Sequence, residues 1–123
     1  DYITKDGMVI KNEWLTLPVA PGESYAYCAD TVYDERISVK CKDVDLLYHE
    51  ATYLDDQSEK AAGRMHSTSK QAAAIALKAN AGKLLIGHFS SRYETLEEFI
   101  TEAQSVFPNT DLAIEGVTYI IHK

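Results

Sequence analysis

The sequence predicts an α/β fold, because two strongly apolar strands alternate with segments of helical character. Short apolar runs at Leu46–Tyr48 and Leu84–Ile86 are typical of strands that are buried on both faces of a sheet. The alanine-rich segment 70–80 lies between them and favours a helix. Strands that alternate with helices in this way are the pattern of α/β domains. Side chains that carry out chemistry in such domains gather in loops just beyond the C-terminal ends of the strands.

The N-terminal third of the chain predicts short strands separated by turns. Pro18 and Pro21-Gly22 interrupt its apolar residues, which indicates brief elements and not one long strand or helix. The predicted elements are strands at 8–10, 13–17 and 24–28, followed by a short helix at 34–41.

The other helices are predicted from residues that commonly begin and end helices. Gly82 has the position of a glycine that follows a helix, and Pro108 ends the last helical segment. Strands at 112–114 and 117–121, around a turn at Glu115-Gly116, complete the chain. The candidate N-caps are Asp55 or Asp56 for a helix ending near Gly63, Ser67, Thr68 or Ser69 for the helix over 70–80, and a Thr95–Glu98 capping box for a helix ending near Phe107.

The composition is that of a globular protein with an acidic balance. The 123 residues carry a formal net charge of −7, which repels nucleic acid overall, and 46% of them are hydrophobic. No apolar run approaches the roughly 20 residues that a membrane helix requires, and the N-terminus has no export signal. We therefore expect a cytoplasmic location and no membrane partner. Cys28 and Cys41 are too far apart for a CxxC motif and are expected to be reduced thiols that pack in the interior.

Four polar clusters lie at the ends of predicted strands or at the start of a helix. They contain Asp30, His49-Glu50, His66 and His88. Taken singly, each has a structural interpretation: a turn cap for the aspartate, a salt bridge for the glutamate, and a surface or packing position for the histidines. Taken together, carboxylates and histidines from separate loops indicate a metal site with a proton relay. His122, next to the last residue, is expected to be exposed.

The clusters lie within four segments that spell recognisable motifs. Ala26–Thr31 contains YC-x-DT, His49–Thr52 reads HEAT, His66–Thr68 reads HST, and Leu85–Tyr93 is similar to LTHFSxRY, with Gly87 in place of the threonine. This set, in this order, resembles the ribonuclease Z family of the metallo-β-lactamase superfamily. The glycine is expected to be tolerated.

The resemblance implies a fold that this chain completes only in part. The family's HxHxDH motif, a further isolated histidine and the flexible tRNA-binding arm are absent from the sequence. We therefore expect residues 1–123 to form the C-terminal part of a metallo-β-lactamase-like domain. This part is half of an αβ/βα sandwich, a mixed β-sheet with flanking helices. The expected partners are the missing N-terminal half and a second copy in a homodimer.

The resemblance also implies a function and a role for each cluster. The complete enzyme is expected to use two zinc ions to remove the 3′ trailer from precursor tRNA, its substrate. Asp30 would bridge the two ions, and His88 would ligate one of them. His66 would be the general acid, and Glu50 would orient it and favour its protonated form. With only two of the expected zinc ligands, this chain is expected to be inactive alone.

Three basic residues are considered for binding the substrate. Lys70 lies at the start of the helix over 70–80, where free N–H groups and the helix dipole favour phosphate, and Arg64 is near it in sequence. Arg92 follows His88 and is expected either to contact phosphate or to brace its loop.

Two alternative functions remain open at this stage. One is a different metallo-β-lactamase phosphodiesterase, which acts on a small phosphodiester and lacks the tRNA-binding arm. The other is a non-catalytic subunit that has kept the fold, for which the joint presence of Asp30, Glu50, His66 and His88 has no explanation.

Overall fold

A computed structural model describes all of residues 1–123. A four-stranded sheet with helices packed on it forms the body of the molecule, preceded by a small two-stranded hairpin. The strands are β1 (Tyr2–Ile3), β2 (Val9–Ile10), β3 (Tyr25–Cys28), β4 (Leu46–Glu50), β5 (Lys83–Gly87) and β6 (Thr110–Leu112). The α-helices are α1 (Arg36–Lys40), α2 (Ser58–Gly63), α3 (Ser69–Ala79) and α4 (Glu97–Gln104), with 3-10 turns at Asn12–Trp14 and Asp55–Gln57.

The main sheet is parallel throughout, with the strands in the order β3-β4-β5-β6. Each crossover between neighbouring strands contains a helix, as parallel pairing requires. The predicted α/β class is therefore confirmed. None of the helices has both the length and the apolar character that are needed to span a membrane.

The hydrophobic core lies between one face of the sheet and the helices α3 and α4. Leu47, Leu84 and Ile86 point from the sheet into this layer and are fully buried. Alanines and Ile75 of α3 pack against them, and Phe99 of α4 closes the layer. Each fully buried side chain of this size contributes about 1.5–3 kcal/mol. This layer fixes β4 and β5, the two strands whose ends carry most of the candidate site.

The opposite face of the sheet is aromatic and only partly covered. Tyr25 and Tyr27 of β3 are more than half exposed, and the Tyr27 ring stacks on Tyr48 with centroids 4.7 Å apart. The C-terminal segment crosses this face, and Tyr119 and Ile121 help to line a shallow apolar cavity of about 260 Å³ over it. The chain thus leaves a broad apolar surface in contact with solvent.

Two of the predicted strands are wrong. Residues 13–17 form part of a 3-10 turn and an irregular segment, because Trp14, Leu15 and Leu17 are exposed and no strand lies beside them. Residues 117–121 contain no strand either. The Tyr119 hydroxyl lies against Leu112 O and accepts a hydrogen bond from Ile114 N–H, so this segment folds back on β6 through a side chain. The strand expected at 112–114 is present as β6 but lies two residues earlier, at Thr110–Leu112.

The helix ends agree only in part with the capping residues that the sequence suggested. Thr68, one of the three candidate N-caps, forms a complete capping box with Gln71 at the start of α3. The Thr95–Glu98 capping box is wrong, because α4 begins at Glu97 and Leu96 precedes it without a side-chain cap. Asn80, with a φ of 52°, takes the left-handed position after α3 that was expected of a glycine.

Gly82 is needed for a different reason, the close approach of two backbone segments. A Cβ atom at this position would lie 2.6 Å from the carbonyl oxygen of Asp45. We expect Gly82→Ala to lower the free energy of unfolding by about 1–3 kcal/mol, because backbone cannot move aside as a side chain can. The matched control is Gly63→Ala, where an added Cβ meets nothing within 4 Å. Urea denaturation of both variants checks this, and equal effects would contradict it.

The two cysteines are unpaired and pack against the edge of the core. Burial, with the neighbouring Cys41 as a smaller cause, raises the pKa of the Cys28 thiol to about 11. The thiolate is therefore disfavoured at neutral pH, which makes this cysteine a poor nucleophile.

Candidate active site

The candidate site lies at one edge of the sheet, where β3, β4 and β5 end. Cys28, His49 and Ile86 are paired across the three strands, so the residues that follow them emerge side by side. Asp30 and His88 are the residues that leave the sheet, and both have left-handed backbone, with φ values of 48° and 61°. This conformation turns the chain sharply out of each strand. It sets the two side chains at the same edge, as the sequence predicted.

His66 reaches this edge through a short pairing outside the main sheet. Tyr53 donates its N–H to Ser67 O (3.3 Å) and accepts from Ser69 N–H at its own carbonyl (3.0 Å). The segment after β4 therefore runs beside the segment before α3, with Tyr53 and Thr68 as bridge partners. His66 is placed next to Glu50 as a result.

Glu50 is the fully buried centre of the site, and all of its partners are internal. Its Oε1 accepts from His66 Nδ1 (2.6 Å) and from Thr31 N–H (3.3 Å). Its Oε2 accepts from Thr52 N–H (3.1 Å), from the Thr52 hydroxyl (2.9 Å) and from Ser67 N–H (3.1 Å). A buried carboxylate is costly unless it is hydrogen-bonded in this way. The hydrogen bonds join the ends of β3 and β4 to the loop that carries His66.

Three side chains with metal-ligating atoms converge beside this carboxylate. One such atom from each of Asp30, His66 and His88 lies within 4.8 Å of the others. His88 Nε2 is 3.6 Å from Asp30 Oδ1, and the two imidazole rings are 5.3 Å apart between centroids. Exposure rises outward, from 0% for the Glu50 side chain through 23% for His66 to 52% for His88 and 72% for Asp30. The ligating atoms therefore face an open edge that a substrate can reach.

The donor set fits zinc in kind but not in number. Zinc binds imidazole nitrogen and carboxylate oxygen, and its stable sites use three or four protein ligands. Asp30 and His88 are the expected ligands, and His66 is close enough to be a third. Two zinc ions would need more donors than these three residues supply. The ligand and general-acid roles of Asp30, Glu50, His66 and His88 remain predictions.

The start of α3 does not offer free N–H groups to a phosphate, contrary to the expectation from the sequence. Lys70 N–H donates to Glu102 Oε1 (3.2 Å), Gln71 N–H to the Thr68 hydroxyl (3.1 Å), and Ser69 N–H to Tyr53 O (3.0 Å). The Glu102 carboxylate already occupies the position that an anion would take. Any substrate contact of Lys70 would have to come from its exposed ammonium group, and that role stays a prediction.

The two arginines near the site are held by neutral partners. Arg92 donates to Gln57 Oε1 (3.3 Å) and lies over the Tyr93 ring, so in the structure it braces its own loop. Arg64 donates to the hydroxyl of Tyr53 (3.3 Å), whose ring centroid is 6.5 Å from that of His66. Both charges are free of carboxylate partners. A phosphate-binding role for Arg92 stays a prediction.

His49 precedes Glu50 on the core side of the sheet and was not assigned a role from the sequence. It is fully buried, and its Nδ1 lies 2.8 Å from the carbonyl oxygen of Glu50. Its Nε2 is the one buried side-chain nitrogen or oxygen without a hydrogen-bond partner. Burial lowers the pKa of His49, and the hydrogen bond to Glu50 O and the Glu50 charge oppose this to a smaller extent. The neutral imidazole is therefore the form that the fold accommodates.

We expect this histidine to make the chain less stable in mild acid. The folded state lowers the pKa of His49 below its ordinary value of 6.5, so the unfolded chain takes up a proton at this residue more readily. The contribution of neutral His49 to stability is therefore complete above that pH and is lost as the pH falls. Urea denaturation at several pH values checks this for the wild type and for His49→Asn, whose amide can still donate to Glu50 O. The asparagine variant should lose less stability between neutral and mildly acidic pH. Parallel pH profiles would contradict the assignment.

A family model described as a β-lactamase superfamily domain matches residues 6–89. A protein named ribonuclease Z from Bacteroides thetaiotaomicron is 45% identical over 123 residues, which is all of this chain and 39% of that protein. Ribonuclease Z from Cytophaga hutchinsonii is 49% identical over 107 residues, 87% of this chain and 34% of that protein. The chain thus spans less than half the length of these curated relatives.

Solved structures show the same relationship. A metallo-β-lactamase fold protein from Bacillus subtilis aligns with a TM-score of 0.69 and 29% identity, over 74% of this chain and 37% of that one. The short form of human tRNase Z aligns with a TM-score of 0.56 and 32% identity, over 78% of this chain and 31% of that one. The chain belongs to the β-lactamase superfamily, and its relatives by sequence within that superfamily are ribonuclease Z proteins.

Proposed function

We propose that this chain is the C-terminal part of a zinc-dependent endoribonuclease that removes the 3′ trailer from precursor tRNA. The observation that carries the proposal is the pairing of buried Glu50 with the partly exposed His66, beside Asp30 and His88 at one open sheet edge. The ribonuclease Z relatives and the similarity to human tRNase Z support this substrate over a small phosphodiester.

Asp30 and His88 are the residues that would hold zinc in this protein. When bound, zinc supplies positive charge to the phosphoryl group and promotes ionisation of water. Asp30 contributes a carboxylate and His88 an imidazole nitrogen, and both are fixed by the backbone turns that follow β3 and β5. The other ligands would come from the part of the protein that corresponds to the unmatched length of the ribonuclease Z relatives.

His66 would supply the proton that the leaving ribose 3′-oxygen requires. Its Nδ1 lies 2.6 Å from Glu50 Oε1, so Nδ1–H donates to the carboxylate and Nε2 is the nitrogen left for the substrate. In its imidazolium form, the His66 ring carries a proton on Nε2 as well. Transfer of that proton to the 3′-oxygen is general-acid catalysis, worth roughly 10²–10⁴ in rate.

The apolar face of the sheet is consistent with a polypeptide partner. Tyr25 and Tyr27 are exposed on this face, and exposed apolar surface of this kind commonly marks an interface. We propose that the remaining part of the protein covers it, as the second half of an αβ/βα sandwich. A homodimer in solution is the second proposed association, and the isolated chain is expected to self-associate.

The test is reconstitution. This chain alone, with zinc, should not cleave precursor tRNA, because it has too few ligands and its net charge of −7 repels RNA. Mixed and refolded with the remaining part of the Bacteroides thetaiotaomicron relative, it should release the trailer, and a chelator should abolish the release. Robust cleavage by the chain alone would overturn the fragment proposal. Hydrolysis of a small phosphodiester without tRNA cleavage by the complex would favour the alternative phosphodiesterase.

A further inference from the structure

We propose that the Thr52 hydroxyl is a positioning group that fixes the proton of His88 on Nδ1 and so keeps its Nε2 unprotonated. Thr52 Oγ1 lies 2.9 Å from Glu50 Oε2 and 3.0 Å from His88 Nδ1. The hydroxyl therefore stands between the buried carboxylate and the more exposed histidine.

The direction of each hydrogen bond follows from counting protons. Glu50 Oε2 already accepts two backbone N–H groups, from Thr52 and Ser67, so it has no proton to give. The single hydroxyl proton of Thr52 must then be donated to Glu50 Oε2, since two bare oxygens 2.9 Å apart would repel each other. Thr52 Oγ1 is left as an acceptor toward His88. A contact of 3.0 Å then requires that His88 Nδ1 carry the proton.

When the His88 ring is neutral, this arrangement leaves two acceptors facing each other. His88 Nε2, with its lone pair free, lies 3.6 Å from the carboxylate oxygen Oδ1 of Asp30. An unprotonated nitrogen beside a carboxylate is an arrangement that a cation stabilises. A histidine ligand commonly has its free nitrogen selected by a hydrogen bond at the other ring nitrogen.

The position of the hydroxyl is fixed from three directions. Thr52 is 6% exposed, its own N–H donates to Glu50 Oε2, and its carbonyl accepts from Ser90 N–H (3.0 Å). The hydrogen-bonded series therefore runs without a break from His66 through Glu50 and Thr52 to His88. A carboxylate that orients the proposed general acid thereby also orients the proposed zinc ligand.

The primary test needs neither zinc nor activity, so its failure is distinct from failure of the proposed function. Nitrogen-15 chemical shifts of the His88 ring, measured on the zinc-free 123-residue chain at about pH 8.5, report which nitrogen of the neutral ring is protonated. We expect the Nδ1–H form in the wild type and in Thr52→Ser, which keeps the hydroxyl. Thr52→Val should lower the ratio of Nδ1–H to Nε2–H by roughly five- to tenfold, the factor for one ordinary hydrogen bond.

A matched control separates this effect from the general cost of losing a buried hydroxyl. Thr110 is also buried, and its hydroxyl donates to Phe107 O away from the site, so Thr110→Val should leave the His88 signals unchanged. In the reconstituted complex, Thr52→Val should weaken zinc binding by about 10–100-fold, as loss of such a partner typically does. A wild-type His88 protonated on Nε2 would overturn the proposal, even if Thr52→Val did not fold. So would a folded Thr52→Val chain with the wild-type ratio.

Discussion

Glu50→Ala is expected to lower the free energy of unfolding of this chain by about 3–5 kcal/mol, the range for removing one partner of a buried ionic network. The substitution leaves three backbone N–H groups, from Thr31, Thr52 and Ser67, without their acceptor in the interior. It also removes the hydrogen bonds from Glu50 that join the loop of His66 to the ends of β3 and β4. Domains of this size are stable by only about 5–15 kcal/mol, so the loss is a large part of the total.

Urea denaturation followed by circular dichroism measures this loss. The matched control is Glu94→Ala, because Glu94 is an exposed glutamate with no hydrogen-bond partner in the structure. It should change the free energy of unfolding by no more than about 0.5 kcal/mol. If Glu50→Ala were as stable as the control, the carboxylate would not be the structural centre of the site. Glu50→Gln should also destabilise, because its amide NH₂ would face N–H donors.

His66→Ala is expected to reduce trailer cleavage by the reconstituted enzyme by roughly 10²–10⁴, the range for a lost general acid. Zinc content should change little, because Asp30 and His88 are the proposed ligands. Zinc content must be measured to distinguish a general acid from a zinc ligand, because His66 lies close enough to Asp30 and His88 to bind the same ion. His66 Nδ1 is already engaged by Glu50, which leaves one nitrogen to serve either role.

Turnover and bound zinc have to be measured on the same samples. His122→Ala is the matched control, because His122 is an exposed histidine near the C-terminus, and it should keep both activity and zinc. A His66→Ala enzyme that loses zinc but retains its activity per bound zinc would identify His66 as a ligand.

The strands and helices of the core could be predicted because their sequence signals are strong. Leu46–Tyr48 and Leu84–Ile86 are apolar enough to be strands, and α3 begins after Thr68, one of the three candidate N-caps. The wrong strand predictions concern segments whose local sequence pattern favours a strand although no neighbouring strand pairs with them. Residues 117–121 have the composition of a strand but pair with no strand, and Tyr119 anchors them instead.

The candidate site could be predicted as a set of residues but not as a network. The motifs place Asp30, Glu50, His66 and His88 at strand or helix ends, and the structure brings these ends together. The part played by Thr52 was not predictable, although HEAT includes it, because hydrogen-bond direction depends on which partners are already satisfied. The anion position at α3 was predicted wrongly for a similar reason, since Glu102 comes from a helix that is distant in sequence.

The parallel order of β3, β4 and β5 has a consequence for how this molecule folds. Two hydrogen bonds at the site join loops from different crossovers across 36 residues of chain, Ser67 Oγ to Thr31 O and Thr52 Oγ1 to His88 Nδ1. Contacts of this kind carry the entropy of closing a long loop and form slowly. The site should therefore be absent from early folding intermediates and appear only when the last strands pair. A cation that binds the completed site would then slow unfolding without accelerating folding. Stopped-flow measurements give the folding rate and the unfolding rate separately.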